Sequence, residues 1–156
     1  RTRAFNHEGP RRDYVFGIPW YAYQIARIEA DKQKPVLTHG HIDDKRNFTH
    51  IRDLVEAYWL AMEHCQPGEL YLIGQENPEH IHTYREIIDM LLGMSSVSGI
   101  QTKVDPQFVR PTAVPRLIGD TSKFRNLTGW EPKIPFRQIL VDTLEYWRDF
   151  VKNDLY

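Results

Sequence analysis

The stretch Arg1-Thr2-Arg3-Ala4-Phe5-Asn6-His7-Glu8-Gly9-Pro10-Arg11-Arg12 decides the fold. Its first residues read as a short buried strand, and Gly9-Pro10 turns the chain into a polar loop that carries two adjacent arginines. Open α/β sheets place ligands at the carboxyl ends of their strands, so a strand opening into Asn, His and Arg marks a binding site. The strand stands at the very first residues with nothing before it to pair with. The expectation is that the chain is the back part of a larger enzyme.

Working outward, Asp13 to Gly17 is a connector, and Ile18-Pro19 puts a proline near a helix start. The helix runs from about Trp20 to Asp31, with Tyr21, Ile25 and Ile28 at helical spacing. Pro35 to Thr38 reads as a strand, residues 39–47 as a polar loop, and Phe48 to His50 as extended. Ile51, Leu54, Val55, Tyr58 and Met62 form the apolar stripe of a second helix. Asp53 and Glu56 suit the positive end of its dipole, and Pro67-Gly68 stops it.

The apolar run Leu70 to Ile73 has the pattern of a strand covered on both faces. Thr83 to Glu86 is a capping box ahead of a helix carrying Ile87, Ile88 and Leu91. Ile100 to Val104 reads as one more strand, and the prolines between Pro106 and Pro115 bar a long regular element. Asp120 opens a short helix that ends at Gly129. The last helix follows Pro135, with Phe136, Ile139, Leu140, Thr143, Leu144 and Trp147 on one face. Alternating short strands and helices point to an α/β or α+β domain.

With 156 residues and 41% apolar content the chain suits one soluble domain with a real core. A formal net charge of −1 argues against nucleic acid as partner. No apolar run is long enough for a membrane span, so no membrane partner is expected. The single Cys65 excludes an internal disulfide framework and fits a reducing, cytoplasmic setting.

Several catalytic signatures are missing from these residues. None of the nine glycines forms G-x-G-x-x-G, no tyrosine is followed four residues on by lysine, and G-x-S-x-G does not occur. The chain is expected to hold no catalytic residue of its own. What it offers is arginine at loop positions: Arg11-Arg12, Arg46 and Arg110. Arginine pairs bidentately with phosphate oxygens, so three such loops brought together suit an anionic, phosphorylated ligand; solvated surface arginines are the plain alternative. The His-x-His pairs His39/His41 and His80/His82 lack companions at metal-site spacing, so no metal is expected. Tyr58-Trp59, Tyr146-Trp147 and Cys65 read as packing residues.

Taken together, these motifs resemble the GDP-mannose 4,6-dehydratase family of extended short-chain dehydrogenases/reductases. Phe5 to Arg12 resembles the loop after the sixth strand of that family. The likeness continues through Asp44 to Asp53, Glu69 to Gly74, Val104-Asp105-Pro106, Val109 to Thr112, Gly119 to Lys123 and Thr128 to Pro132, in the family's order. It implies that residues 1–156 are the C-terminal sugar-nucleotide-binding portion. The fold would comprise the last strands of a Rossmann sheet plus a small α/β substrate-binding domain. The glycine-rich turn and the catalytic Thr or Ser, Glu, Tyr and Lys would lie upstream of Arg1.

The resemblance also implies roles. His7 and Arg12 match cofactor contacts to NADP. Asn6 matches a residue facing the substrate, and Arg46 and Arg110 match arginines that clamp the diphosphate of a GDP-sugar. The intact enzyme would convert GDP-mannose to GDP-4-keto-6-deoxymannose as a homo-oligomer, a dimer or tetramer. Departures exist: Asn47 stands for the family's usual Asp, His41 for Asn, and Ile18-Pro19-Trp20 for Thr-Arg-Lys. The last brings the chain closer to the sister GDP-4-keto-6-deoxymannose reductases, whereas Glu8 and Arg11-Arg12 favour the dehydratases. Another NAD(P)-dependent nucleotide-sugar epimerase or dehydratase, and a non-catalytic binding module, are the remaining alternatives.

Overall fold

The computed structural model describes residues 1–109 and 114–153. Strand β1 (Thr2–Ala4) pairs in parallel with β6 (Tyr71–Ile73), and β2 (His7–Glu8) pairs in parallel with β5 (Thr49–His50). Strand β3 (Val36–His39) runs parallel to β8 (Gln101–Val104). Strand β4 (Lys45–Asn47) lies between β7 (Ile81–Thr83), antiparallel, and β9 (Arg116–Leu117), parallel. The helices are α1 (Gly17–Glu29), α2 (Ile51–His64), α3 (Tyr84–Leu92), α4 (Ser122–Thr128) and α5 (Phe136–Lys152). Among the described residues, no helix is long and apolar enough to cross a membrane.

The apolar side chains settle into two cores. In the larger, Ile18, Tyr21, Ala22 and Ile25 of α1 recur at three- and four-residue intervals and face Ile139, Leu140, Leu144 and Trp147 of α5. Ile87, Ile88 and Leu91 of α3 close it. A bidentate pair locks α1 to α5: Arg148 Nε and Nη2 each reach a Glu29 carboxylate oxygen at 2.7 Å. The smaller core gathers Leu54 and Ala57 of α2, Tyr71 and Ile73 of β6, and Phe124 and Trp130.

Between the cores runs a polar seam. His50 caps α2 by accepting the N–H of Arg52 at Nδ1 (3.1 Å), which leaves Nε2 to face Asp142 of α5 at 3.2 Å. Asp53 of α2 accepts the backbone N–H groups of Lys133 and Ile134 at 3.2 and 3.0 Å. Its own carbonyl accepts the indole N–H of Trp130 at 3.1 Å. Asn47 donates to the carbonyl of Gln75 at 2.7 Å.

Both hydrogen bonds of the capping box at Thr83 and Glu86 are present. Gly129 ends α4 with φ of 67°, a left-handed position where a side chain would be strained.

Four local expectations are corrected. The opening strand is exposed at Thr2 and Arg3 and half-buried at Ala4 rather than buried, and among the described residues it pairs with β6 alone. Helix α1 starts at Gly17, with Pro19 inside its first turn, where a missing N–H leaves no bond unmade. Residues 45–47, read as loop, form the central strand of a small sheet. On α2 the inward face is Asp53, Leu54 and Ala57, while Val55, Tyr58, Trp59 and Met62 point outward, Met62 at 83% exposure. Leu54 and Ile51 of the expected stripe do reach the core, but the buried face continues through Asp53 and Ala57 rather than through Val55, Tyr58 and Met62.

Candidate functional site

The carboxyl end of β1 and the loop after β2 face the N-terminal end of α1 across a cleft of about 620 Å³. A hollow of this size lies within the range of small-molecule sites. One wall carries Phe5, Asn6, His7, Glu8 and Arg12; the other carries Tyr14, Phe16, Trp20 and Tyr84. Asp44 and Arg46 from β4 and the turn before it complete the polar floor.

Four of the five residues singled out in the sequence therefore share one cavity: Asn6, His7, Arg12 and Arg46. Arg110 lies outside the described residues. Arg11, beside Arg12, is exposed with φ of 69° and does not line this cleft. Arg11 and Arg12 together line a second, shallower hollow beside Gly9, Pro10 and Ile51.

Each polar group has a local reason for its pose. His7 Nδ1 sits 2.9 Å from the carbonyl of Phe5, which fixes the ring. Arg46 is not free: one guanidinium nitrogen meets Asp44 Oδ2 at 3.2 Å, and another donates to the carbonyl of Lys45 at 2.8 Å. Asp44 also holds His41, with Nδ1 to Oδ1 at 3.3 Å. Arg12 lies flat over the Phe16 ring at 3.5 Å, a cation–π arrangement. Its Nε is 3.9 Å from Glu8 Oε2, and neither buried atom has a hydrogen-bond partner. Burial raises the Glu8 carboxyl to about 8, with Arg12 pulling the other way.

The glycines near the cleft let the backbone come close. A Cβ on Gly119 would stand 1.8 Å from Phe5 Cζ, and one on Gly40 would stand 2.2 Å from the carbonyl oxygen of Phe108. Gly119 thus gives the Phe5 ring its seat at the edge of the cleft.

The histidine pairs have structural company. His39 Nδ1 meets the carbonyl of Gly40 at 2.8 Å, and His82 stacks on Phe136 with centroids 4.0 Å apart. Burial holds His80 below its ordinary pKa, and its Nδ1 lies 3.2 Å from the carbonyl of Phe48. Among the described residues, no group of three His, Cys, Asp or Glu side chains could hold a metal ion. The cleft's polar groups can bind and orient an anionic ligand, and Arg12 is the guanidinium with hydrogen-bonding capacity to spare.

Glu8, Asp44 and Phe16 were not assigned roles from the sequence. Glu8 precedes Arg12 by four residues in the same motif, a spacing that could have flagged the pair. Asp44 and Phe16 carry no comparable signal, since their partners come from backbone turns.

A fold of paired parallel strands with this cleft at their carboxyl ends defines an extended short-chain dehydrogenase/reductase of the epimerase and dehydratase type. The family model for GDP-mannose 4,6 dehydratase matches residues 1–143, and the chain belongs to that family. It is 31% identical to GDP-6-deoxy-D-mannose reductase of Pseudomonas aeruginosa, over 98% of this chain and 49% of that protein. It is likewise 31% identical to GDP-mannose 4,6 dehydratase 1 of Arabidopsis thaliana, over 87% of this chain and 37% of that protein. The solved structure of RMD from Pseudomonas aeruginosa complexed with NADPH superposes with a TM-score of 0.84 at 30% identity, covering 95% of this chain and 48% of that one. The chain thus spans half or less of the length of these relatives.

Proposed function

We propose that residues 1–156 form the sugar-nucleotide-binding portion of an NADP-dependent nucleotide-sugar dehydratase acting on GDP-mannose. The observation that carries this reading is the convergence of Asn6, His7, Arg12 and Arg46 on one cleft at the carboxyl ends of parallel strands. His7 and Arg12 contact the cofactor, Asn6 faces the sugar, and Arg46 with Arg110 clamps the diphosphate. Arg12 fits an anion because, among the described residues, its buried Nε has no hydrogen-bond partner and a third of the side chain (31%) is open. The Asp44 carboxylate competes with the diphosphate for Arg46, which keeps that fork aimed until a ligand displaces it.

Bound NADP supplies the hydride chemistry: it would take hydride from C4 of the sugar and return it to C6 after water is lost across C5 and C6. The residues of this chain bind and orient, and none of them stands in for a Tyr-x-x-x-Lys pair. By this reading the chain works in the cytoplasm as part of a dimer or tetramer and shows no turnover alone.

One observation favours a second reading. Ile18-Pro19-Trp20 brings Trp20 to the cleft where dehydratases carry cations, and the reductase from Pseudomonas matches almost the whole chain. Under that reading the ligand is GDP-4-keto-6-deoxymannose.

Calorimetry with GDP-mannose, UDP-glucose and dTDP-glucose tests the substrate class. The GDP-sugar is expected to bind best, and Arg46→Ala to weaken it by about tenfold or more, as for loss of a charge-assisted bidentate contact. Equal affinity for all three sugars would remove GDP from the reading, and NADP-dependent turnover of GDP-mannose by this chain would overturn its non-catalytic assignment.

A further inference from the structure

The nucleotide reading leaves Glu8 without a task. It is 6% exposed, it belongs to the cleft wall, and it has no hydrogen-bond partner at Oε2. Burying a carboxyl unpartnered is unfavourable, so its place calls for an explanation. Among the described residues the charged group at hand is Arg12, whose Nε stands 3.9 Å from Glu8 Oε2, too far for a hydrogen bond and close enough for attraction once Glu8 ionises. Phe16 supports the other side of the guanidinium at 3.5 Å. Held between Glu8 and Phe16, the fork meets no hydrogen-bond partner at Nε among the described residues, and it lines the cleft.

We propose that Glu8 is the positioning residue of an anion-binding fork, aiming the Arg12 guanidinium at a phosphate of a nucleotide in the cleft and setting how strongly that phosphate is held. The inference rests on the nucleotide reading above. Its physical content is competition. An uncharged Glu8 leaves the whole guanidinium charge to the ligand, whereas a charged Glu8 draws Arg12 toward itself and shares that charge. Burial sets the changeover close to neutral pH.

The surrounding charges do not undo this arrangement. On β5, His50 stands opposite Glu8 in register, and both its ring nitrogens are taken, by Arg52 N–H and by Asp142. His7 is turned to the carbonyl of Phe5. Arg52, at the start of α2, and Arg11 are exposed to solvent.

The test is NADPH affinity, read by nucleotide fluorescence on the full chain, together with the guanidinium Nε–Hε resonance of Arg12. In the parent chain, affinity falls about tenfold between about pH 7 and pH 9, where the nucleotide phosphates are already charged. Glu8→Gln keeps the shape and shows a flat profile. The Arg12 resonance moves with a midpoint near 8 in the parent chain, matching the Glu8 carboxyl. That signal needs no variant and reports the coupling of Glu8 to Arg12, while the affinity profile of Glu8→Gln reports whether that coupling reaches the ligand. Parallel pH profiles for parent and Glu8→Gln, or an Arg12 resonance that stays put while NADPH binds, overturns the positioning role. NADPH binding that Arg12→Ala leaves unchanged overturns instead the nucleotide reading at this fork.

Discussion

Removing the carboxylate of Asp53 should destabilise the protein far more than its position in the first turn of a helix suggests. Two backbone N–H groups, those of Lys133 and Ile134, end on Asp53 Oδ2. Asp53 is 4% exposed, so Asp53→Ala strands both donors in a site with little water. Each unpaired buried donor costs about 1–3 kcal/mol, and the lost dipole interaction adds a few tenths. Because both donors are partly buried, the expected loss is about 2–4 kcal/mol. In a domain of this size that lowers the melting temperature by about 5–15 °C.

Urea unfolding followed by far-ultraviolet circular dichroism, with Trp130 emission as a local probe, reads the effect. Two controls sharpen it. Asp53→Asn retains an acceptor oxygen and should lose about 1 kcal/mol. Glu56→Ala, on an exposed carboxylate of the same helix, should lose less than about 0.5 kcal/mol. If Asp53→Ala and Glu56→Ala have equal and small effects, Asp53 is a dipole partner only, and the seam it is said to hold does not exist.

The Glu8 carboxyl predicts a pH dependence of stability. Between its ordinary 4.5 and the folded value of about 8 the unfolded chain gives up a proton that the folded chain keeps, so stability falls as pH rises through that window and is flat above it. At about 1.4 kcal/mol per pH unit the ceiling is about 5 kcal/mol. Glu8→Gln should therefore gain several kcal/mol relative to the parent chain between about pH 5 and pH 8. Superimposable melting-temperature profiles would refute the assignment. Gly119→Ala should act mainly on the cleft. A Cβ 1.8 Å from Phe5 Cζ pushes that ring toward the ligand, so calorimetry should show weakened GDP-mannose binding with a stability loss of only about 1–3 kcal/mol. Unchanged binding would mean that the ring relaxes elsewhere.

The long helices were legible because their burial is repetitive: Ile18 to Ile28 and Phe136 to Val151 state one face several times over. The small sheet around β4 was not. Its strands are two or three residues long and contain Lys45, Arg46, Arg116 and His82, so neither alternation nor β-propensity marks them. For the site, the motif from Asn6 to Arg12 and the isolated Arg46 were readable as anion-seeking groups. That they share a cavity is a long-range fact, set by the β2–β5 pairing and by β4, and no local pattern encodes it. Glu8 was passed over because a glutamate four residues from an arginine is usually a solvated pair. Its meaning comes from burial, which a single sequence does not print.

The bonds that join the two cores have a consequence for how the cleft can move. Dispersion alone has no preferred direction, although interdigitated side chains resist sliding. The contacts of His50 with Asp142, Asp53 with the 133–134 backbone and Asn47 with Gln75 behave instead as dowels, each lost within a few tenths of an ångström or a modest rotation. Turning one core against the other must break them as a set. The cleft that Arg12 and Trp20 line is thereby expected to hold its shape until that set of bonds gives way together.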